Sequence, residues 1–123
     1  MKNIIVIDDD VDILKMLHII LTAEGYHVNC FTNWYDGYNQ INISKPSLII
    51  IDVNLGNGDG RKVSKLLKFK SDTHLFPVCL ISGDCTIENE FSSYDADEFI
   101  SKPFKNQFLI ERVNFLTRNF INS

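Results

Sequence analysis

Asp8, Asp9, Asp52, Ser82 and Lys102 are the residues of this chain whose types could do chemistry together. Asp52 poses the question most sharply: it ends the apolar run Leu48 to Ile51 and opens a stretch with three glycines in the next eight residues. A carboxylate at the mouth of a buried strand is costly to desolvate unless something binds it. If the three carboxylates met, they would repel by about 4 kcal/mol per pair at about 4 Å and an effective dielectric near 20. Lys102 supplies one compensating charge. Oxygen-only ligands with open positions also suit a hard divalent ion, and Mg²⁺ usually takes one or two carboxylates and keeps several waters. A carboxylate held between a metal and an ammonium would stabilise a phosphoryl group transferring onto it. Ser82 would donate a hydrogen bond to a phosphoryl oxygen, and Gly83 would leave its backbone N–H open to the same group.

Such a meeting needs elements that bring distant residues to one place. Short apolar runs of strand length stand at Ile4 to Ile7, Leu48 to Ile51 and Val78 to Ile81, with weaker ones at Val28 to Phe31 and Phe99 to Ile100. Between them lie helical periodicities. Leu14, Leu17 and Leu21 share a face that stops at Gly25, Trp34, Tyr38 and Ile41 a second, and Val63, Leu66 and Leu67 a third. Ile87, Phe91 and Tyr94 predict a short fourth helix, and Leu109, Val113, Leu116 and Phe120 a longer fifth. Five β-α alternations with continuously apolar central strands predict a parallel sheet with helices on both faces. The C-termini of parallel strands share one edge, where open α/β sheets bind their ligands. Asp8, Asp9, Asp52, Ser82 and Lys102 all follow strands, so they converge on that edge.

Composition narrows the classes. With 123 residues and 45% hydrophobic content, the chain is one domain with a core large enough to need no staples. Twelve basic against 16 acidic residues give a net charge of −4, which argues against a nucleic-acid surface. Three cysteines at irregular spacing, without a CxxC, read as reduced thiols of a reducing compartment. The start, MKNIIVIDDD, is neither a signal peptide nor a membrane span. A cytoplasmic protein is expected.

The acidic pair in "VIDDD", the acceptor in "IIIDVNLGNGDG", the serine of "CLISG" and the Lys102-Pro103 of "DEFISKPF" resemble a response-regulator receiver domain over about residues 2 to 120. The resemblance implies a flavodoxin-like, doubly wound α/β fold, a five-stranded parallel sheet in the order 2-1-3-4-5 with helices on both faces. It implies that Asp52 accepts phosphate from a histidine kinase, a phosphotransfer protein or a small phosphodonor. Asp9, Asp52 and the backbone carbonyl of Asn54 would bind Mg²⁺ directly, with Asp8 acting through water. Lys102 and Ser82 would contact the phosphoryl group, and Phe99 would change rotamer as Ser82 moves. Asn54 and Asp84 would lie beside the path of an attacking water and so tune dephosphorylation. The output would spread over the fourth helix, fifth strand and fifth helix. The Lys102-Pro103 bond would be cis. Three departures from the family pattern stand out: Gly56 where proline is usual, Asp95 where glycine commonly precedes "AD", and a shortened segment between Ser82 and Lys102.

Taken singly, each residue has a plainer explanation. Asp9 or Asp10 could cap the first helix, Asp52 and Ser82 could be turn residues, and Lys102 a solvated cation. Trp34, Tyr35 and Tyr38 read as packing, His18, His27 and His74 lack metal spacing, and Cys85 lies near the site as a candidate for oxidation. A flavin-binding electron carrier of the same architecture would need a hydroxyl- and glycine-rich phosphate loop after the first strand, where "DDDVD" stands. An aspartyl-nucleophile phosphatase or phosphotransferase would share the Asp52 chemistry but need a substrate cap. A pseudo-receiver would lack one of the acceptor, acidic pair, serine and lysine. The reading is therefore a receiver domain over residues 1–123, stand-alone or the first part of a longer regulator, catalysing only its own phosphorylation and dephosphorylation. Its expected partners are a sensor histidine kinase or phosphotransfer protein and a downstream protein, with no nucleic acid or membrane bound by this domain. A monomer or weak dimer is expected.

Overall fold

A computed structural model describes residues 2–56, 58–84 and 94–119. Its elements run β1 (Asn3–Ile7), α1 (Val11–Ala23), β2 (His27–Phe31), α2 (Trp34–Ser44), β3 (Leu48–Asp52), α3 (Gly60–Phe69), β4 (Val78–Ser82), β5 (Glu98–Ser101) and α4 (Asn106–Asn119). All strand pairs are parallel, and the order is β2-β1-β3-β4-β5. The expected sheet is thus the observed one. Of the fourth predicted helix, Ile87 and Phe91 lie outside the described residues, as does Phe120 of the fifth, while Tyr94 is described and packs against the layer under α2 and α3. None of the described helices is long and apolar enough to cross a membrane.

Alternation along the strands splits the core into two layers. Ile4, Val6, Leu48 and Ile50 face α1 and α4, where Leu14, Leu17, Leu21, Leu109, Val113 and Leu116 meet them. Ile5, Ile7, Ile49 and Ile51 face α2 and α3, where Ile41, Val63 and Leu67 cover them. All five residues of β3 are buried. Each buried branched side chain there contributes roughly 1.5–3 kcal/mol, so the central strand is a rigid base for its own last residue. Leu66 departs from expectation. Read as part of one buried stripe with Val63 and Leu67, it is instead 38% exposed, because the stripe of this ten-residue helix is set by Val63 and Leu67, one turn apart, and Leu66 lies to its side.

The helix ends show which polar residues are structural. Asp10 caps α1, its Oδ1 accepting the backbone N–H groups of Asp12 at 2.9 Å and Ile13 at 3.4 Å. That assignment frees Asp8 and Asp9 from capping. Asp59 caps α3 by accepting the Arg61 N–H at 2.9 Å. The Lys102-Pro103 peptide bond is cis. Two family departures have a backbone counterpart. Asp95 adopts φ 63°, a left-handed conformation that short polar side chains tolerate. Gly56 adopts φ 73°, which a proline ring locked near −65° could not reach.

Candidate functional site

Parallel register brings the strand ends level. Asp52 and Ser82 are the last residues of β3 and β4, one position inside the strands rather than past them, and Ser82 pairs with Ser101, the neighbour of Lys102. The Lys102 N–H donates to the Ser82 carbonyl at 2.8 Å, carrying the lysine back over the sheet edge. Its Nζ donates to Asp52 Oδ1 at 3.1 Å and to Asp8 Oδ2 at 3.2 Å. Asp8 Oδ1 in turn accepts the Asp10 N–H at 2.9 Å, which fixes the carboxylate that faces the lysine.

These contacts do not neutralise the site. Asp8 and Asp52 are both buried, and Asp9, though exposed, offers an oxygen within 4.8 Å of theirs. Burial, with repulsion from Asp8 added, pushes the Asp52 carboxyl up to about 6 against the pull of Lys102. Burial likewise raises Asp8. For Lys102, burial works against the ammonium, but the two carboxylates outweigh it and the net direction is up. Three converging carboxylates with one ammonium leave net negative charge, and an all-oxygen set of this kind fits a hard divalent cation.

Beside this cluster opens a polar cavity of about 430 Å³ whose lining includes Asp52, Asn54, Ser82, Gly83, Asp84 and Lys102. Ser82 Oγ accepts the Asp84 N–H at 3.0 Å, so its own proton is free to be donated into the cavity. Asn54 Oδ1 accepts the Gly56 N–H at 3.2 Å. The β3–α3 loop is tied at both ends, by Val53 N–H to the Ile81 carbonyl at 2.9 Å and Gly60 N–H to the Val53 carbonyl at 2.8 Å. Phe99 stands apart from the cavity, 5% exposed in the core layer under α2 and α3, so its ring is already buried in this structure. Cys85 lies outside the described residues.

Arg61 is a cavity residue that the sequence reading overlooked. Its Nε and Nη2 clamp Asp59, at 3.0 Å to Oδ1 and 2.8 Å to Oδ2, and its guanidinium lies 5.4 Å from the centre of the Tyr94 ring. The signal available in the sequence was position: Arg61 follows the Asp-Gly pair that starts α3, one turn from the acceptor loop.

Known proteins resemble this chain in sequence and fold. The response regulator receiver domain family model matches residues 4–114. The phosphate regulon transcriptional regulatory protein PhoB of Klebsiella pneumoniae is 29% identical over 119 residues, 95% of this chain and 52% of that protein. The regulatory protein VanRB of Enterococcus faecalis is 26% identical over 94% of this chain and 52% of its own length. The chain thus spans about half the length of these curated relatives. A CheY-like receiver domain protein from Methanospirillum hungatei superposes with a TM-score of 0.89 at 25% identity, covering 99% of this chain and 98% of that one.

Proposed function

From the premise that this chain belongs to the response regulator receiver domain family, we propose that Asp52 accepts a phosphoryl group from the phosphohistidine of a sensor histidine kinase or phosphotransfer protein. The observation that carries the proposal is Lys102 Nζ bridging Asp52 and Asp8 beside a polar cavity. An Asp52 oxygen attacks phosphorus, the P–N bond to the donor histidine breaks, and its electron pair leaves with the imidazole. Lys102 offsets charge on the transferring oxygens, and Ser82 and the Gly83 N–H donate to them. Mg²⁺ held by Asp9, Asp52 and the Asn54 carbonyl, with Asp8 behind, would supply the charge that keeps Asp52 ionised and lets the phosphoryl oxygens approach. The proposal treats residues 1–123 as one receiver domain, cytoplasmic, monomeric or weakly dimeric, acting on a downstream protein and turning over no substrate but its own phosphate. Incubation with Mg²⁺ and acetyl phosphate, followed by peptide mass spectrometry, tests it: phosphate on Asp52 supports the reading, and an unlabelled protein refutes it.

Three results are expected if the proposal holds. Asp9→Ala should weaken Mg²⁺ binding by about tenfold or more, a scale that even outer-shell changes reach at metal sites; calorimetric titration with Mg²⁺ reads it, and unchanged affinity would contradict the ligand set. Asn54→Met and Asp84→Val should each lengthen the life of the acyl phosphate, because both side chains line the cavity a hydrolytic water must cross. Decay unchanged from wild type in both variants would show that neither takes part. The output is expected over residues 86–108, through β5 and the start of α4. With Phe99 already inward, phosphorylation would act by shifting populations that pre-exist. Amide shifts on adding Mg²⁺ and beryllofluoride should reach β5 and α4, and shifts confined to the loops at Asp9, Asp52 and Ser82 would remove the switch.

A further inference from the structure

Helix α3 and Lys70, which follows it, concentrate charge of one sign. Residues 61–70 hold five of the chain's 12 basic side chains and no acid, leaving seven basic side chains against all 16 acids elsewhere. Three of the five have partners: Arg61 on Asp59, Lys68 on Asp97 at 2.6 Å, and Lys70 donating to the Tyr38 hydroxyl at 2.7 Å. The side chains of Lys62 and Lys65 are exposed and form no ion pair or hydrogen bond among the described residues. The same helix exposes Leu66 at 38% and Phe69 at 87%, the latter the most exposed large apolar side chain described. Beside Leu66, between α2 and α3, lies an apolar cavity of about 200 Å³ lined by Trp34, Gly58, Asp59, Lys62, Val63 and Leu66.

These features name a chemistry. The cavity is below the roughly 300–1,000 Å³ of small-molecule sites, so it suits one side chain rather than a cofactor. Lys62 in its wall and Lys65 on the same helix, exposed on an otherwise acidic molecule, suit carboxylates arranged along a single helix. A membrane or a nucleic-acid duplex would instead bring a broad anionic surface against the chain's many other acids. We propose that the α3 face with Lys62, Lys65, Leu66 and Phe69 docks an acidic segment of a partner protein, whose bulky apolar side chain enters the cavity at Trp34, Val63 and Leu66. This site is separate from the phosphoacceptor cavity, whose lining it shares at no residue. It therefore stands or falls independently of the phosphorylation chemistry.

Trp34 is the chain's only tryptophan and so reports on the cavity directly. Wild-type protein would be titrated with a tryptophan-free heptapeptide of Glu and Asp around a central Phe, with Trp34 emission as the readout. Saturable binding that weakens at high salt is expected. Exchange of the peptide Phe for Ser, and the protein double variant Lys62→Glu/Lys65→Glu, should each weaken binding by about tenfold or more. Both lysines are solvent-exposed, so the double variant should keep the wild-type circular dichroism spectrum; Lys62→Gln/Lys65→Gln provides a milder second variant with the same direction of effect. Equal affinity of the Ser peptide or of both charge variants would overturn the proposal, as would the absence of saturable binding. Tighter binding to phosphatidylserine vesicles or to a duplex oligonucleotide than to the peptide would replace the proposed partner with a membrane or nucleic acid.

Discussion

Asp52→Asn is expected to abolish acid-labile phosphate incorporation and, in cation-free protein near about pH 7.5, to raise the unfolding free energy by about 1–3 kcal/mol. The first effect follows from position. Asp52 is the carboxylate that both touches Lys102 and lines the cavity shared with Ser82 and Gly83, whereas Asp8 touches the lysine without lining that cavity. The second follows from sign. Burial first, then repulsion from Asp8, pushes the Asp52 carboxyl from 3.8 up to about 6. A carboxyl whose pKa is higher folded than unfolded stabilises the fold fully below its unfolded value, and that stability is lost as pH rises through the folded value. Wild-type protein therefore carries the whole penalty above about pH 6, while asparagine has no charge to desolvate. Asp8, raised by its own burial, adds a dependence of the same direction. The advantage of asparagine should shrink toward zero as pH falls to about 4. Urea unfolding in EDTA across that range measures it. A variant less stable than wild type at neutral pH would mean that the Lys102 attraction outweighs burial, and equal labelling of the variant would remove Asp52 from its role.

The chemical residues were legible because strand ends are legible. Apolar runs that stop at Asp52 and Ser82, and an acidic pair after Ile7, place side chains at one edge of a parallel sheet without any knowledge of loop paths. The one-residue offset at Asp52 and Ser82 did not matter, because the last residue of a strand and the first beyond it reach the same edge. What escaped depends on loops and on helix rotation. Arg61 enters the cavity because the β3–α3 loop folds back, with Leu55 N–H on the Gly58 carbonyl at 3.2 Å and Asn54 bridged to Asp59, and no periodicity announces such a path. Leu66 was misplaced because two apolar neighbours on a short helix define a stripe too narrow to say whether a third lies on it. Asp10 was separated from Asp9 as the cap only when the N–H groups it accepts were seen.

Gly60→Ala is expected to destabilise the protein by about 3 kcal/mol or more and to slow phosphorylation on the order of 100-fold. Helix propensity argues the other way, because alanine in place of glycine in a helix is worth up to about 1 kcal/mol. Tertiary contact decides the sign. A Cβ on Gly60 would lie 2.2 Å from the backbone oxygen of Asp52, 2.9 Å from its carbonyl carbon and 2.9 Å from Ile51 Cγ2. Backbone at the end of a fully buried strand has no room to yield, and the Gly60 N–H is already committed to the Val53 carbonyl. Either α3 lifts away from the sheet, opening the layer held by Val63 and Leu67, or the Asp52 peptide turns and takes its carboxylate off Lys102. The first route costs stability and the second costs rate, since a displacement of about 1 Å at a reacting group loses roughly 100-fold. Gly56→Ala is the matched comparison. There the new Cβ would meet only Asp9 Oδ2 at 2.9 Å, the far end of an exposed side chain, and the cost is that of a left-handed alanine, about 1–2 kcal/mol. Urea unfolding of both variants, with acetyl phosphate labelling rates measured in parallel, separates the two. If Gly60→Ala folded as well as Gly56→Ala and labelled as fast as wild type, the close approach of α3 to the Asp52 backbone would not be what sets the acceptor in place.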